Sequence, residues 1–244
     1  MLGWRARIGL LVPATNTVAE NEFWAMIPEG VTIGTARVVS VQAEDEHKRL
    51  AGYRAQVMKA AEEVKHIEPS IIAWTCTSGS FIEGEGYDRQ LVEEATAVAC
   101  APAVTTSTAV MDAIRHLGIR KLAMDTPYRD SVTQIEKEFF ERSMPGLSIV
   151  NTRNLNVLGP GRRGYILPET VYELGRSVDT PEADAVFLSC TDVRTREVLE
   201  HLERDLGKPV ISSNQSTLWS ILRRLGIETG SVVGRLGSTA LPPG

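Results

Sequence analysis

Short apolar runs bounded by turn residues alternate along this chain with longer stretches in which apolar positions recur every three or four residues. The first pattern suits strands buried on both faces and the second suits amphipathic helices. Their alternation marks βα units laid around a mostly parallel sheet. Arg7 to Val12, Val31 to Val39, Ser70 to Trp74 and Ala103 to Thr105 read as four strands. Val18 to Ile27 and His47 to Ile67 read as helices between them. In the longer one, Leu50, Tyr53, Val57, Ala60, Ala61, Val64 and Ile67 would line one face. A further helix, Thr108 to Leu117, ends at the stop signal Gly118.

From Lys121 the pattern starts again. Lys121 to Asp125 reads as a strand running into Thr126-Pro127, Leu147 to Val157 holds a second, and Ala185 to Ser189 is a third that ends at Cys190. The interval from Pro13 to Cys76 equals that from Pro127 to Cys190. Ala101-Pro102-Ala103-Val104 and the four hydroxyl residues after it match Lys208-Pro209-Val210-Ile211 and Ser212-Ser213-Asn214-Gln215. Both lead into helices that end Leu-Gly-Ile. A duplication predicts an α/β protein of two Rossmann-like lobes, with parallel sheets related by a pseudo-two-fold and a cleft between them. The expected division is a first lobe over residues 1–105, with a C-terminal helix over 215–244 packing back on it, and a second lobe over 106–214.

Length and composition narrow the function. A chain of 244 residues buries a core without disulfide or metal staples. Hydrophobic residues at 43% and charged residues at 23% exclude a disordered tail, a collagen and a coiled coil. A net charge of -5, with no basic run longer than two, argues against a nucleic acid or a membrane surface as partner. An anionic ligand would have to be held by local geometry. The apolar run behind the N-terminal arginines stops at Pro13, too short for a signal-peptide core. No run approaches the roughly 18 apolar residues of a spanning helix. The chain therefore reads as cytosolic, with a small molecule as partner, and a homo-oligomer is expected. Its three cysteines are odd in number and widely spaced, which suits free thiols rather than disulfides or a zinc cluster.

Two of those thiols hold equivalent places in the repeat. Cys76 in Trp74-Thr75-Cys76-Thr77-Ser78 and Cys190 in Leu188-Ser189-Cys190-Thr191-Asp192 each follow a strand. Ligands of parallel sheets sit outside the carboxyl ends of the strands, where loops enter helices. A helix N-terminus there would lower the thiol pKa and make thiolate available near neutral pH. A cysteine beside a strand can also be a small core residue, but the matching positions favour chemistry. Cys100, among small apolar residues, reads as packing. Asn16 reads either as a ligand or as a helix N-cap, and Tyr128 either as a donor to a carboxylate or as a half-buried lid. His47, His66, His116 and His201 fall in helical stretches among charged neighbours and read as surface residues. There is no phosphate loop and no dinucleotide fingerprint, so neither a nucleotide cofactor nor a metal is expected.

Val12-Pro13-Ala14-Thr15-Asn16-Thr17, Cys76-Thr77-Ser78, Thr126-Pro127-Tyr128 and Ser189-Cys190-Thr191, in this order, resemble the aspartate/glutamate racemase superfamily. Within it they are similar to the branch of maleate cis-trans isomerases and arylmalonate decarboxylases. The resemblance implies a cofactor-independent enzyme that acts beside a carboxylate. It makes Cys76 the nucleophile or first base and Cys190 the second acid or base. Asn16, Tyr128 and the backbone around Thr77, Ser78 and Thr191 would hold carboxylates, with Pro13 at the same turn. Decarboxylases of the branch keep only the second thiol, whereas isomerases and racemases have both, as here. Maleate isomerases carry a further asparagine in the loop that here reads Leu158 to Gly164 without one, where Arg162 or Arg163 could clamp a carboxylate instead. The expected activity is maleate to fumarate isomerisation. Racemisation, malonate-type decarboxylation and non-catalytic binding of a small acid are the alternatives.

Overall fold

The computed structural model describes residues 2–41, 43–157, 159 and 161–239. The first half runs β1 (Ala6–Pro13), α1 (Ala19–Met26), β2 (Val31–Val38), α2 (Glu46–Ala51), α3 (Tyr53–Lys65), β3 (Ile71–Trp74), α4 (Ser78–Phe81), α5 (Tyr87–Ala99), β4 (Ala103–Thr105) and α6 (Thr106–His116). The second runs β5 (Lys121–Thr126), α7 (Asp130–Ser143), β6 (Ser148–Asn154), α8 (Pro168–Val178), β7 (Ala185–Leu188), α9 (Leu199–Leu206), β8 (Val210–Ser212), α10 (Ser213–Arg224) and α11 (Gly234–Gly237), with a 3-10 turn at Arg163–Tyr165 before α8. Each half forms a four-stranded parallel sheet. The orders, β2-β1-β3-β4 and β6-β5-β7-β8, are the same permutation. The repeat read from the spacing of prolines and cysteines is therefore a repeat of topology.

The central strands β3 and β7 are buried along their whole length because helices cover both faces, which is why they read as unbroken apolar runs. The main core is shared between the halves. Leu10 and Val104 of one sheet and Met124 and Phe187 of the other belong to it, together with Phe23, Val110, Phe139 and Leu222 from the helices. Phe81 of α4 meets Phe139 of α7 with ring centroids 6.1 Å apart. A separate core under α3 and α5, with Tyr53, Val57, Leu91 and Trp74, covers the outer face of the first sheet.

Several boundaries differ from the sequence reading. The helix expected over 47–67 is two helices. Asp45 caps α2 by accepting from Lys48 N at 2.8 Å, and Gly52 parts α2 from α3. A Cβ at Gly52 would stand 2.2 Å from Val41 Cγ2, so the loop after β2 can close on the helix only over a glycine. The expected C-terminal helix over 215–244 is helical at α10 and at the four residues of α11, and 240–244 lie outside the described residues. No helix among the described residues is long and apolar enough to cross a membrane.

Candidate active site

The carboxyl ends of β1, β3, β5 and β7 converge on one cleft, with a space of about 40 Å³ bordered by Cys76 and Cys190. Pro13, Asn16, Thr77, Ser78, Tyr128 and Thr191, named from the sequence, all line it. A larger hollow of about 230 Å³ lies beyond Thr17, against Asn21, Arg194 and Arg196, and contains no thiol.

Cys76 lies in the loop between β3 and α4. Its Sγ lies 4.0 Å from Ser78 Oγ and accepts from the backbone N–H of Gly79. Gly79 is small by necessity, since a Cβ there would stand 3.0 Å from that sulfur. The thiol is buried, and burial pushes its pKa up, against the pull of Gly79, Ser78, Arg49 and Arg163. The expected thiolate at neutral pH is thus corrected for this environment. The helix that follows is only four residues long, and desolvation of the anion outweighs the donors around it.

Cys190 sits differently. Its backbone adopts φ +94°, a left-handed conformation that costs a residue with a Cβ about 1–3 kcal/mol. That turn lets Asp192 N donate back to Cys190 Sγ at 3.4 Å. The Tyr128 hydroxyl is also in hydrogen-bond reach of the thiol. Burial pushes the Cys190 pKa up to about 12, Arg163 opposes this, and the Asp192 carboxylate adds to it.

A polar seam locks the two loops together. Ser213, the first residue of α10, accepts from Thr77 Oγ1 at 2.9 Å and from Cys190 N at 3.0 Å, so one hydroxyl registers both cysteine turns. Asn16 stands at the start of α1 and bonds in two directions. Its Oδ1 accepts from Val18 N and Ala19 N, each at 2.9 Å, while its Nδ2 donates across the cleft to Thr191 Oγ1 at 3.1 Å. Thr191 Oγ1 in turn donates to Thr75 O at 3.0 Å, and Thr17 N donates to Asp192 Oδ1 at 3.0 Å. The hydroxyls of Thr77 and Thr191 are spent on this scaffold. By contrast, the backbone N–H groups of Thr77, Ser78 and Thr191 have no acceptor among the described residues. Buried, unpaired amides of this kind fit an incoming carboxylate.

The upper wall contains residues that the sequence reading passed over. Arg49 of α2 and Tyr53 of α3 face Cys76 from above, Tyr53 with its ring 5.4 Å from that of Trp74. Tyr53 appears in the helical period as a core position, which it is, and nothing in the pattern separates it from the rest of that face. Tyr128 is fully buried rather than a half-exposed lid, and burial first, then the neighbouring thiol of Cys190, push its phenol pKa well above the ordinary range. The two loop arginines part company. Arg162 is exposed, while Arg163 is 9% exposed and lies over the Tyr128 ring at 4.7 Å. Leu158 and Pro160 of that loop lie outside the described residues. Cys100 is also corrected: it stands exposed at the C-terminal end of α5 with φ +53°, closing the helix rather than filling a core. His47, His66, His116 and His201 are exposed, as read.

Two parallel βα lobes each present one thiol to a shared cleft. A family model for arylmalonate decarboxylase matches residues 8–236, and the chain belongs to that family. It is 27% identical over 237 residues to a maleate isomerase from Geobacillus stearothermophilus, covering 91% of this chain and 93% of the other. It is 29% identical over 185 residues to the arylmalonate decarboxylase of Bordetella bronchiseptica, covering 72% and 74%. A solved structure of Nocardia farcinica maleate cis-trans isomerase, a cysteine-to-serine mutant with a covalently bound succinylcysteine intermediate, matches at a TM-score of 0.88. The identity there is 25%, over 96% of this chain and 99% of that one.

Proposed function

We propose that this protein is an isomerase that converts maleate to fumarate through a covalent adduct on Cys76. The observation that carries the reading is the pair of unlike thiols in one cleft, set beside backbone amides without acceptors. Burial pushes the Cys76 thiol up, and two hydrogen-bond donors and two guanidiniums oppose it. Burial, with the Asp192 carboxylate adding to it, pushes Cys190 further, up to about 12. That division makes Cys76 the nucleophile and Cys190 the acid.

In this mechanism the Cys76 thiolate adds to one alkene carbon, and the electron pair of the double bond moves to the carbon beside the second carboxylate. Cys190 gives its proton to that carbon, which leaves a succinyl thioether on Cys76 and a thiolate at Cys190. The central bond is now single and rotates. Cys190 then takes back a proton, the C–S bond breaks, and the trans alkene leaves. Covalent addition replaces one inaccessible rotation by accessible steps. The unpaired amides at Thr77, Ser78 and Thr191 stabilise charge as it moves onto the carboxylates. The covalent succinylcysteine on the Nocardia farcinica relative supports this order of events.

A malonate-type decarboxylation is the second reading, favoured by the family model. The presence of Cys76 weighs against it, because the resemblance assigns decarboxylases the second thiol alone. Incubation with maleate, an arylmalonate and a panel of chiral amino acids in deuterated water, followed by NMR, decides between them. The account expects fumarate from maleate. Carbon dioxide release from the arylmalonate, or α-deuterium in an amino acid, without any fumarate would overturn it.

A further inference from the structure

One buried N–H in the cleft, on Arg163, bonds to nothing in the mechanism above. Arg163 enters from the 3-10 turn before α8, in the second half, and its side chain is 10% exposed. It is held on two sides. Its guanidinium lies 4.7 Å from the centre of the Tyr128 ring, and its Nη2 donates to Glu46 Oε1 of α2, in the first half, at 3.1 Å. The same Glu46 oxygen is 3.5 Å from Arg49 Nη2, so Glu46 is shared between the arginines and does not fully neutralise either. Among the described residues, the other carboxylate on the cleft wall is Asp192, which is occupied by the backbone N–H groups of Thr17 and Gly164. Arg163 Nε is buried and has no partner among the described residues.

A buried guanidinium N–H without an acceptor is costly, and it is tolerated where an acceptor arrives with the ligand. A planar fork already stacked and tethered loses little freedom when a carboxylate meets it, and the pairing is strong because both groups are charged. We propose that Arg163 is the residue that makes this enzyme select a doubly charged substrate, its guanidinium holding the carboxylate farther from the carbon that Cys76 attacks. Glu46 acts as its positioning residue across the cleft. This inference rests on the dicarboxylate reading of the site and adds to it the residue that enforces the second charge.

The test uses two probes of the same shape and different charge: maleate at a pH where it is a dianion, and maleamate, in which one carboxylate is an amide. Equilibrium binding by calorimetry and turnover are measured for wild type, Arg163→Gln, Arg163→Lys and Arg162→Gln, with circular dichroism to verify the fold. Wild type should bind maleate at least about tenfold more tightly than maleamate. Arg163→Gln should lose about 10- to 100-fold on maleate and less than about threefold on maleamate, so that the preference disappears. Arg163→Lys should recover part of it, keeping the charge without the stacked fork, and the exposed Arg162→Gln should match wild type. An Arg163→Gln protein that keeps the wild-type ratio overturns the proposal, as does a wild type that binds both probes alike or neither. Tight, charge-selective binding without fumarate overturns the isomerase reading and leaves Arg163 its role. Fumarate formation with an unchanged ratio in Arg163→Gln does the reverse.

Discussion

The two cysteine turns occupy the same place in a repeated fold and differ in almost everything else. Cys76 follows β3 without left-handed backbone, enters a helix within two residues and accepts from Gly79 N. Cys190 follows β7 with φ +94°, leads into a turn, and is surrounded by Asp192, Tyr128 and Arg163. Duplication supplies two thiols at equivalent strand ends. The residues one and two positions further on, and the helix or turn they adopt, then give the thiols unequal hold on a proton. Symmetry of fold with asymmetry of charge suits a reaction that needs a nucleophile and an acid at once.

The sharpest way to break this comparison is to remove each thiol in turn. Cys76→Ala and Cys190→Ala should each lower turnover by about 10³-fold or more while the far-UV spectrum and melting temperature stay close to wild type. Near-wild-type rates in both would remove the two-thiol account. Gly79→Ala should come next. Its Cβ would press on Cys76 Sγ at 3.0 Å and on Trp74 Cζ2 at 3.1 Å, and about a tenfold or larger loss of kcat is expected with little loss of stability. An unaltered kcat would mean that the position of that sulfur is not critical.

A third prediction concerns the support beneath Cys190 alone. Ser189 Oγ donates to Glu136 Oε1 at 2.6 Å, while Glu136 Oε2 and Asp125 Oδ2 are buried with no hydrogen-bond partner among the described residues. Burial pushes Glu136 up to about 8, and burial with the neighbouring Glu136 carboxyl pushes Asp125 well up too. An acid whose pKa is raised on folding stabilises the native state fully below its unfolded value, near 4.5, and that contribution is lost as pH rises to about 8. Glu136→Gln keeps an acceptor for Ser189 and removes the proton linkage. The variant should therefore gain on wild type progressively between pH 4.5 and 8, by up to about 5 kcal/mol at the upper end. Urea melts across that range check it, and a constant difference would contradict it. The equivalent place beneath Cys76 carries Thr75, whose Oγ1 donates to Leu11 O, so a hydroxyl stands there without a titrating carboxyl beneath it. The smallest effect is in labelling. Neutral iodoacetamide should modify the exposed Cys100 well before Cys76 at pH 7, and peptide mapping that found Cys76 first would show its thiol far more available than its burial allows.

The sheets were legible because β3 and β7 are covered on both faces and so read as short apolar runs flanked by turns. The thiols were legible because the repeat placed Cys76 and Cys190 in register. What escaped the sequence is contact between distant segments. Arg49 and Tyr53 lie on the two helices after β2, parted at Gly52, and both line the cleft beside Cys76. The Glu136–Ser189 bond joins α7 to the β7 turn across 53 residues. The thiol pKa was misjudged because helix-terminus chemistry was weighed without burial, which depends on the packing of both halves. Arg162 and Arg163 are neighbours between two glycines, and the pattern does not distinguish the exposed one from Arg163, which is buried where the 3-10 turn begins.

The measurement that tests the central claim most directly is intact-protein and peptide mass spectrometry of the Cys190→Ser protein after incubation with maleate. With the acid weakened and the nucleophile intact, the account predicts a mass increase of one maleic acid, localised to the peptide containing Cys76 and missing from a Cys76→Ser, Cys190→Ser double variant. An adduct confined to Cys100, or no adduct in a protein that still makes fumarate, would contradict it.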